Sequence, residues 1–211
     1  MAAAPVLPEV APVGLIVLAA GRSTRMGRDN KLLCDVGGEP MVRRVAATAL
    51  ASRARPVHVV VGHQGAQVRA ALAGLDFTCI DNPDYASGLS SSLKAGIASL
   101  PKQVVGALIL LGDMPSINVA DLERLLEAFD AAAARAIVVP LHNGQRGNPV
   151  LWPADLFAQL MQLAGDAGAR QLFASHADRI AEVALEHAAV LMDVDTPESL
   201  AQLRAGWHLD G

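Results

Sequence analysis

The sequence predicts an α/β protein built on an open, mostly parallel β-sheet with helices on both faces. Three observations carry that expectation. Short apolar runs alternate with helix-period segments along the chain, the pattern of successive β–α–β units. The 211 residues are 52% hydrophobic, 18% charged and 3% aromatic. A core must therefore be assembled from Ala, Val, Leu and Ile, which suits buried parallel strands under alanine-rich helices. No internal repeat, low-complexity tract or linker divides the chain, so one domain is expected over residues 13–205, between an N-terminal tail (1–12) and a short C-terminal tail (206–211).

The strands are expected at Gly14–Ala20, Val57–Val61, Phe77–Ile80, Ala107–Leu111 and Ala136–Val139, each a short apolar run bounded by turn residues. Leu122, Leu125, Leu126 and Phe129 recur at i, i+3, i+4 and i+7. That period predicts a helix capped by Asn118, with Asp121 and Glu123 in its first turn. A second helix is expected to begin at Pro153 and repeat Leu156, Leu160 and Leu163. A last one starts at Thr196–Pro197, a cap followed by proline at the first helical position, and carries Leu200 and Leu203.

Composition also excludes functions. A net charge of −4 argues against a nucleic-acid backbone as partner, and scarce aromatics leave few platforms for stacking bases. No apolar run approaches the ~18 residues that cross a bilayer. The first twelve residues lack the basic start of a signal peptide, so a cytoplasmic protein is expected. Cys34 and Cys79 form no metal-like pair and fit core positions in a reducing compartment. Six histidines show no zinc-binding spacing, and no G-x-S-x-G elbow marks a serine hydrolase.

In such sheets the ligand sits beyond the carboxyl ends of the strands, so the loops after the strands hold the informative residues. The first runs Ala19-Ala20-Gly21-Arg22-Ser23-Thr24-Arg25-Met26-Gly27-Arg28-Asp29-Asn30-Lys31. Its small residues let a ligand approach backbone N–H groups. Arg22, Arg25, Arg28 and Lys31 place four cations in ten positions that hold one acid, Asp29. A solvated basic loop has the same composition, but behind a buried strand and a small-residue turn the arrangement points to phosphate. It is neither a P-loop nor a dinucleotide fingerprint, because the glycine spacing fits neither.

The strand ending in Leu111 leads into Gly112-Asp113-Met114-Pro115. A carboxylate there is placed to bind Mg²⁺ and so offset phosphate charge, although an isolated Asp after a strand also serves as a turn former or cap. Asp81-Asn82-Pro83 follows the third strand, and Ser90, Ser91 and Ser92 follow Gly88-Leu89. Those hydroxyls can donate to phosphate or cap a helix. Gly62-His63-Gln64, after the second strand, can touch a base or open a helix.

Leu18–Lys31, L-A-A-G-R-S-T-R-M-G-R-D-N-K, resembles the signature loop of the nucleotidyltransferases that include the molybdenum-cofactor guanylyl- and cytidylyltransferases. The resemblance extends over about residues 13–205. It implies a Rossmann-like three-layer α/β/α domain whose mainly parallel sheet includes an antiparallel edge strand. It also implies transfer of CMP from CTP, or of a nucleotide from another NTP, to the terminal phosphate of a phosphorylated pterin, with release of pyrophosphate. Arg25, Lys31 and Asp113 take the catalytic roles, and Leu18, Ala19, Ala20, Gly21, Arg22, Gly62, Asp81 and Ser90 join Arg25 and Lys31 around the nucleotide. Asp113 resembles the family's metal-binding aspartate. In the late motif Met192–Pro197, Asp195 is the first choice for a second Mg²⁺ ligand and Asp193 the second, although Asp195 can also serve only to prepare the final helix. L-A-A-G resembles the cytidylyl branch, since the guanylyl branch typically has glycine where this chain has Ala20. Arg146-Gly147-Asn148-Pro149 and Gly165–Arg170 resemble the same branch. They place acceptor binding on Arg146, Asn148, Asp166 and Arg170, positions that an exposed surface turn would also explain.

The rivals are a guanylyltransferase or sugar-phosphate nucleotidyltransferase of the same fold, a non-catalytic pterin carrier for a molybdoenzyme or its chaperone, and a nucleotide-sensing regulator.

Overall fold

The computed structural model describes residues 12–23, 30–165 and 168–207. Its strands are β1 Val13–Ala19, β2 Asp35–Val36, β3 Glu39–Pro40, β4 Val57–Val61, β5 Thr78–Asp81, β6 Gly106–Leu111, β7 Ile137–His142, β8 Gln145–Arg146, β9 Val150–Pro153 and β10 Ile180–Ala184. The helices are α1 Met41–Ala51, α2 Gly65–Ala71, α3 Leu89–Ser99, α4 Val119–Ala131, α5 Phe157–Leu160 and α6 Pro197–Trp207. The main sheet has the order β10-β7-β9-β6-β1-β4-β5, with β8 paired to β7, while β2 and β3 form a separate hairpin.

β1 is parallel to both β4 and β6, and β4 is parallel to β5. All seven residues of β1 are buried, because alternate side chains enter cores on opposite faces. Leu15, Val17 and Ala19 join the core under α1, α2 and α4. Ile16, Leu18 and Ala20 join the core that holds Leu93 and Ile97 of α3 and Leu160 of α5. A third, smaller cluster seats Leu200 and Leu203 of α6 on Val36, Met41 and Val194.

The sheet is mixed and mostly parallel, as expected, and of its two antiparallel strands β8 pairs with β7 alone while β9 is interior. β9 lies between β7 and β6, antiparallel to both, and the edge strands are β5 and β10. Asn143-Gly144 explains this. Both residues have positive φ, 47° and 78°, the conformation of a two-residue hairpin turn that matches strand twist. The turn sends β7 back as β8, opposite to it in register His142↔Gln145, and the chain continues into the interior slot beside β6.

Asn118 and Asp121 form a reciprocal capping box at the start of α4. Glu123 lies beyond that first turn, where it accepts from Arg53. Pro153 does not begin a helix. It closes β9 opposite Gly106, and the apolar period is met by a 3-10 turn (Ala154–Leu156) and the four-residue α5, with Leu156, Leu160 and Leu163 all buried. The last helix starts at Pro197, with Thr196 Oγ1 accepting from Ser199 N at 3.2 Å. It runs on through Gly206 and Trp207, where the sequence suggested a tail.

Candidate active site

From β1 the chain winds outward to β4 and β5, then returns to place β6 on β1's other side. Loops at the carboxyl ends of β1 and β6 therefore diverge and open a crevice. Gly112 keeps them close. Its N–H donates to Leu18 O at 2.9 Å, and a Cβ there would stand 3.0 Å from that oxygen and 3.4 Å from the Ala19 methyl. Asp113 follows directly, at the crevice floor.

Lys31 reaches the same point from the other loop. Asn30 opens a 3-10 turn (Lys31–Leu33) by accepting from Leu32 N at 3.1 Å, and Leu32 anchors that turn in the core. Ser23 Oγ accepts from Lys31 N at 3.2 Å. So held, Lys31 Nζ donates to Asp113 Oδ2 at 2.5 Å and also to Asp195 Oδ1. Asp195 arrives on the segment before α6, which a Val194 N–H to Asp113 O bond of 3.0 Å ties to the β6 loop. The amide of Asp195 is taken by Ser199 Oγ, which leaves its carboxylate for the cluster.

The charges are partly buried: the side chains of Lys31, Asp113 and Asp195 are 11%, 15% and 35% exposed. Burial pushes the Asp113 carboxyl above its ordinary range, with Lys31 opposing the shift and Asp193 adding to it. For Lys31 burial favours the neutral amine, but Asp113 and Asp195 together outweigh it and hold the ammonium above its usual value. One oxygen of each of Asp113, Asp193 and Asp195 lies within 4.8 Å of the others. Asp113 Oδ1 is buried with no hydrogen-bond partner among the described residues. Three clustered carboxylates, two of them on one ammonium, with an orphaned carboxylate oxygen among them, fit a divalent cation.

Two cavities meet over this cluster. One, of about 540 Å³, is lined by Leu18, Ala20, Gly21, Arg22, Ser23, Lys31, Tyr85, Ser92, Asp113, Asp193 and Asp195, among others. The second, of about 560 Å³, holds Arg146, Asn148, Arg170, Trp152 and Val190. Leu18, Leu89, Leu111 and Asp193 line both. The structure thus gathers Leu18, Ala20, Gly21, Arg22, Lys31, Asp113 and Asp195 at one cavity and Arg146, Asn148 and Arg170 at its neighbour. Arg146 is oriented there by Glu182, to which its Nε donates at 2.7 Å. Its guanidinium lies 5.7 Å from the Phe173 ring centre, and Phe173 stacks on Trp152 at 5.6 Å.

Other expected residues stand apart. Asp81 is not brought to either cavity. It is 78% exposed and paired with Arg69 of α2. Strand alternation is the reason, since Ile80 faces the α3 side where the cavity lies and Asp81 faces the other. Ser90 is buried, with its amide donating to Gly165 O, and Ser92 lines the cavity instead. Ala19 and Gly62 lie behind the wall rather than in it. Arg25 and Asp166 lie outside the described residues. Sequence reasoning passed over Tyr85, Trp152 and Asn82. Asn82 is buried and its Nδ2 donates to Ser91 Oγ at 2.9 Å and Ser92 Oγ at 3.0 Å, joining the loop after β5 to α3. Asparagine before proline signals such a side-chain-stabilised turn.

Residues 15–180 match the model of the MobA-like NTP transferase domain. The chain belongs to that family. Its chemistry is nucleotidyl transfer, and the resemblance seen in the first loop extends to whole proteins. The chain is 30% identical over 190 residues to the molybdenum cofactor cytidylyltransferase of Escherichia coli K12, covering 88% of this chain and 92% of that protein. It is 36% identical over 127 residues to the bifunctional protein GlmU of Chromobacterium violaceum, but spans only 27% of that longer protein. Among solved structures, Rv0371c from Mycobacterium tuberculosis superposes with a TM-score of 0.78 at 27% identity, over 92% of this chain and 98% of that one. The same protein has been solved in complex with manganese, and there the TM-score is 0.76 at 25% identity, over 92% of this chain and 98% of that one. A nucleotidyl transferase from Methanothermobacter shares the fold with a TM-score of 0.81 at 22% identity, over 95% of this chain and 99% of that one.

Proposed function

We propose that this protein moves CMP from CTP to the terminal phosphate of molybdopterin, or of its molybdenum-loaded form, and releases pyrophosphate. The observation that carries the reading is the junction of Lys31, Asp113 and Asp195 in a cavity that opens into a second, arginine-bearing one. Similarity to the E. coli cytidylyltransferase along nearly the full length of both proteins supports the pterin acceptor, as do Ala20 in L-A-A-G and the R-G-N-P and G-D-A-G-A-R segments.

A terminal phosphate oxygen of the acceptor attacks the α-phosphorus of CTP. A new P–O–P linkage forms as the α–β bridging bond breaks, and the electron pair leaves with pyrophosphate. The acceptor phosphate is already ionised near neutral pH, so the chain need supply no strong base. Its tasks are in-line positioning and charge neutralisation. The Ala20–Arg22 turn offers backbone N–H groups and a guanidinium to the phosphates, with Arg25 expected to join them. Lys31 supplies a fixed ammonium, while Arg146, Asn148 and Arg170 orient the acceptor. Asp113, with Asp195 and Asp193 beside it, would hold Mg²⁺, which when bound neutralises charge on the phosphate oxygens. The manganese complex of M. tuberculosis Rv0371c, a structural neighbour, supports the reading of a divalent ion at this site. The product would pass to a molybdoenzyme or its chaperone. No helix among the described residues is long and apolar enough to cross a membrane, and we place the reaction in the cytoplasm.

The test is a panel of the four NTPs with purified pterin cofactor, or with a sugar 1-phosphate, and Mg²⁺, scored for pyrophosphate. CTP with the pterin should dominate. Preference for GTP would overturn the reading of Ala20, and turnover only with the sugar phosphate would move the protein toward GlmU-like chemistry. Tight pterin binding with no pyrophosphate from any NTP would make it a carrier.

A further inference from the structure

Charge in the nucleotide cavity collects where β1 and β6 diverge, at Lys31, Asp113, Asp193 and Asp195. Past the end of β4, the segment that follows β5 lines the same cavity with Tyr85, Ala86 and Gly88. A triphosphate drawn to the charged end leaves its nucleobase to the other. Tyr85 is the one aromatic side chain among the described residues lining this cavity, and it is the only tyrosine in the protein.

Its placement is tightly fixed. A Cβ at Gly62 would stand 2.6 Å from Tyr85 Cβ, 2.8 Å from Tyr85 Cγ and 2.9 Å from the Ala20 methyl. The absent side chain at 62 is therefore what lets the tyrosine settle directly on the backbone just past β4, beside Ala20. The His63 ring lies beside it, with its centre 5.9 Å from that of Tyr85 and tilted by 52°. The loop that carries Tyr85 is braced by Asn82, which accepts from Asp84 N at 3.0 Å and donates to Ser91 and Ser92. A ring held this firmly, beside a methyl at the cavity wall, is a pre-formed apolar surface for a flat heterocycle.

We propose that Tyr85 is a specificity-determining residue, the wall against which the base of the NTP packs, and that with Ala20 it sizes this end of the cavity for a pyrimidine. Gly62 is the positioning residue that admits the ring. The assignment rests on the reading of this cavity as an NTP site, and it is independent of the acceptor. Loss of base–aromatic packing weakens binding by about tenfold or more. Tyr85→Ala should therefore raise the Kd and KM for CTP by about that factor, leave kcat within about threefold, and narrow the preference for CTP over GTP. Tyr85→Phe should retain all three.

A readout that needs no variant keeps the proposal testable if Tyr85→Ala folds poorly. Fluorotyrosine incorporation gives a single fluorine signal at Tyr85. It should shift on saturation with CTP and stay in place with inorganic tripolyphosphate. Calorimetry on the same sample establishes saturation. A fluorine signal unmoved by bound CTP, or a folded Tyr85→Ala with wild-type CTP affinity and CTP-over-GTP preference, overturns the proposal alone. Absence of any calorimetric CTP binding to the wild type would remove the nucleotide reading itself, and the proposal with it.

Discussion

Replacing Asp113 by Asn changes one buried atom and one charge, and its consequences can be worked from the cluster. The amide oxygen still accepts from Lys31, whose second partner Asp195 remains. The attraction to Lys31 is lost, but so are the burial cost of the carboxylate and its repulsion by Asp193, the two influences that raise its pKa. Removing one partner of a buried ion pair ordinarily costs about 3–5 kcal/mol because the other charge is left unpaired. Here Lys31 keeps Asp195 as a partner and the carboxylate's own burial cost disappears, so only part of that loss is expected. The folded state should lose about 1–3 kcal/mol, which is a fall in Tm of roughly 2–12 °C for a chain of this size. Catalysis has no such compensation. The orphaned Oδ1 becomes an NH₂ donor, and the site loses a fixed negative charge at its centre. Turnover should fall by about a hundredfold or more, the scale of losing one pre-organised electrostatic element. Pyrophosphate release and a thermal melt on one preparation give both numbers. Turnover within tenfold of wild type would remove Asp113 from the mechanism. A collapse of the melt alongside the activity would make Asp113 a structural residue.

Two further outcomes follow from the same geometry. In Gly147→Ala the new methyl would fall on the Val190 carbonyl oxygen, which already accepts from Asn148 N. The Val190 turn borders the acceptor cavity, so the variant should lose about 1–3 kcal/mol of stability and raise the KM for the acceptor more than that for CTP; an unchanged melt would refute the packing. Burial holds the His58 imidazole below its ordinary pKa of 6.5, beside Ser99 Oγ at 2.7 Å. Its contribution to stability is then fully present above the unfolded value and is lost as pH falls through the lowered folded one, with a slope of up to about 1.4 kcal/mol per pH unit. Urea midpoints at about pH 7.5 and about pH 5.5 should therefore converge in His58→Asn; an unchanged gap between them would show that His58 does not carry the dependence.

Much of the fold was legible because burial and local chemistry agreed. β4 was read to the residue, and the Asn118 cap of α4 was legible because cap, acidic third position and apolar period all point the same way. The meeting of Lys31 with Asp113 was legible through topology, since loops after adjacent parallel strands must share one end of the sheet. What escaped depended on facing and register. Asp81 sits at the expected strand end, yet a period of two turned it toward α2, which the strand sequence does not reveal until the sheet's faces are assigned. The interior position of β9 was encoded in Asn143-Gly144, a hairpin signal that a search for β–α–β units passes over. Tyr85 opens a single 3-10 turn (Tyr85–Ser87) too short to show a period, and only its contact with Gly62 makes it conspicuous.

CTP labelled at the α-phosphorus in one reaction and at the γ-phosphorus in another, each supplied with the pterin acceptor and Mg²⁺, follows the atoms themselves. The α label should appear on the pterin and the γ label in pyrophosphate, in equal amounts and with neither lost by Tyr85→Phe. Recovery of the γ label as free phosphate, or an α label that never leaves CMP, would mean hydrolysis rather than transfer and would contradict the account at its centre.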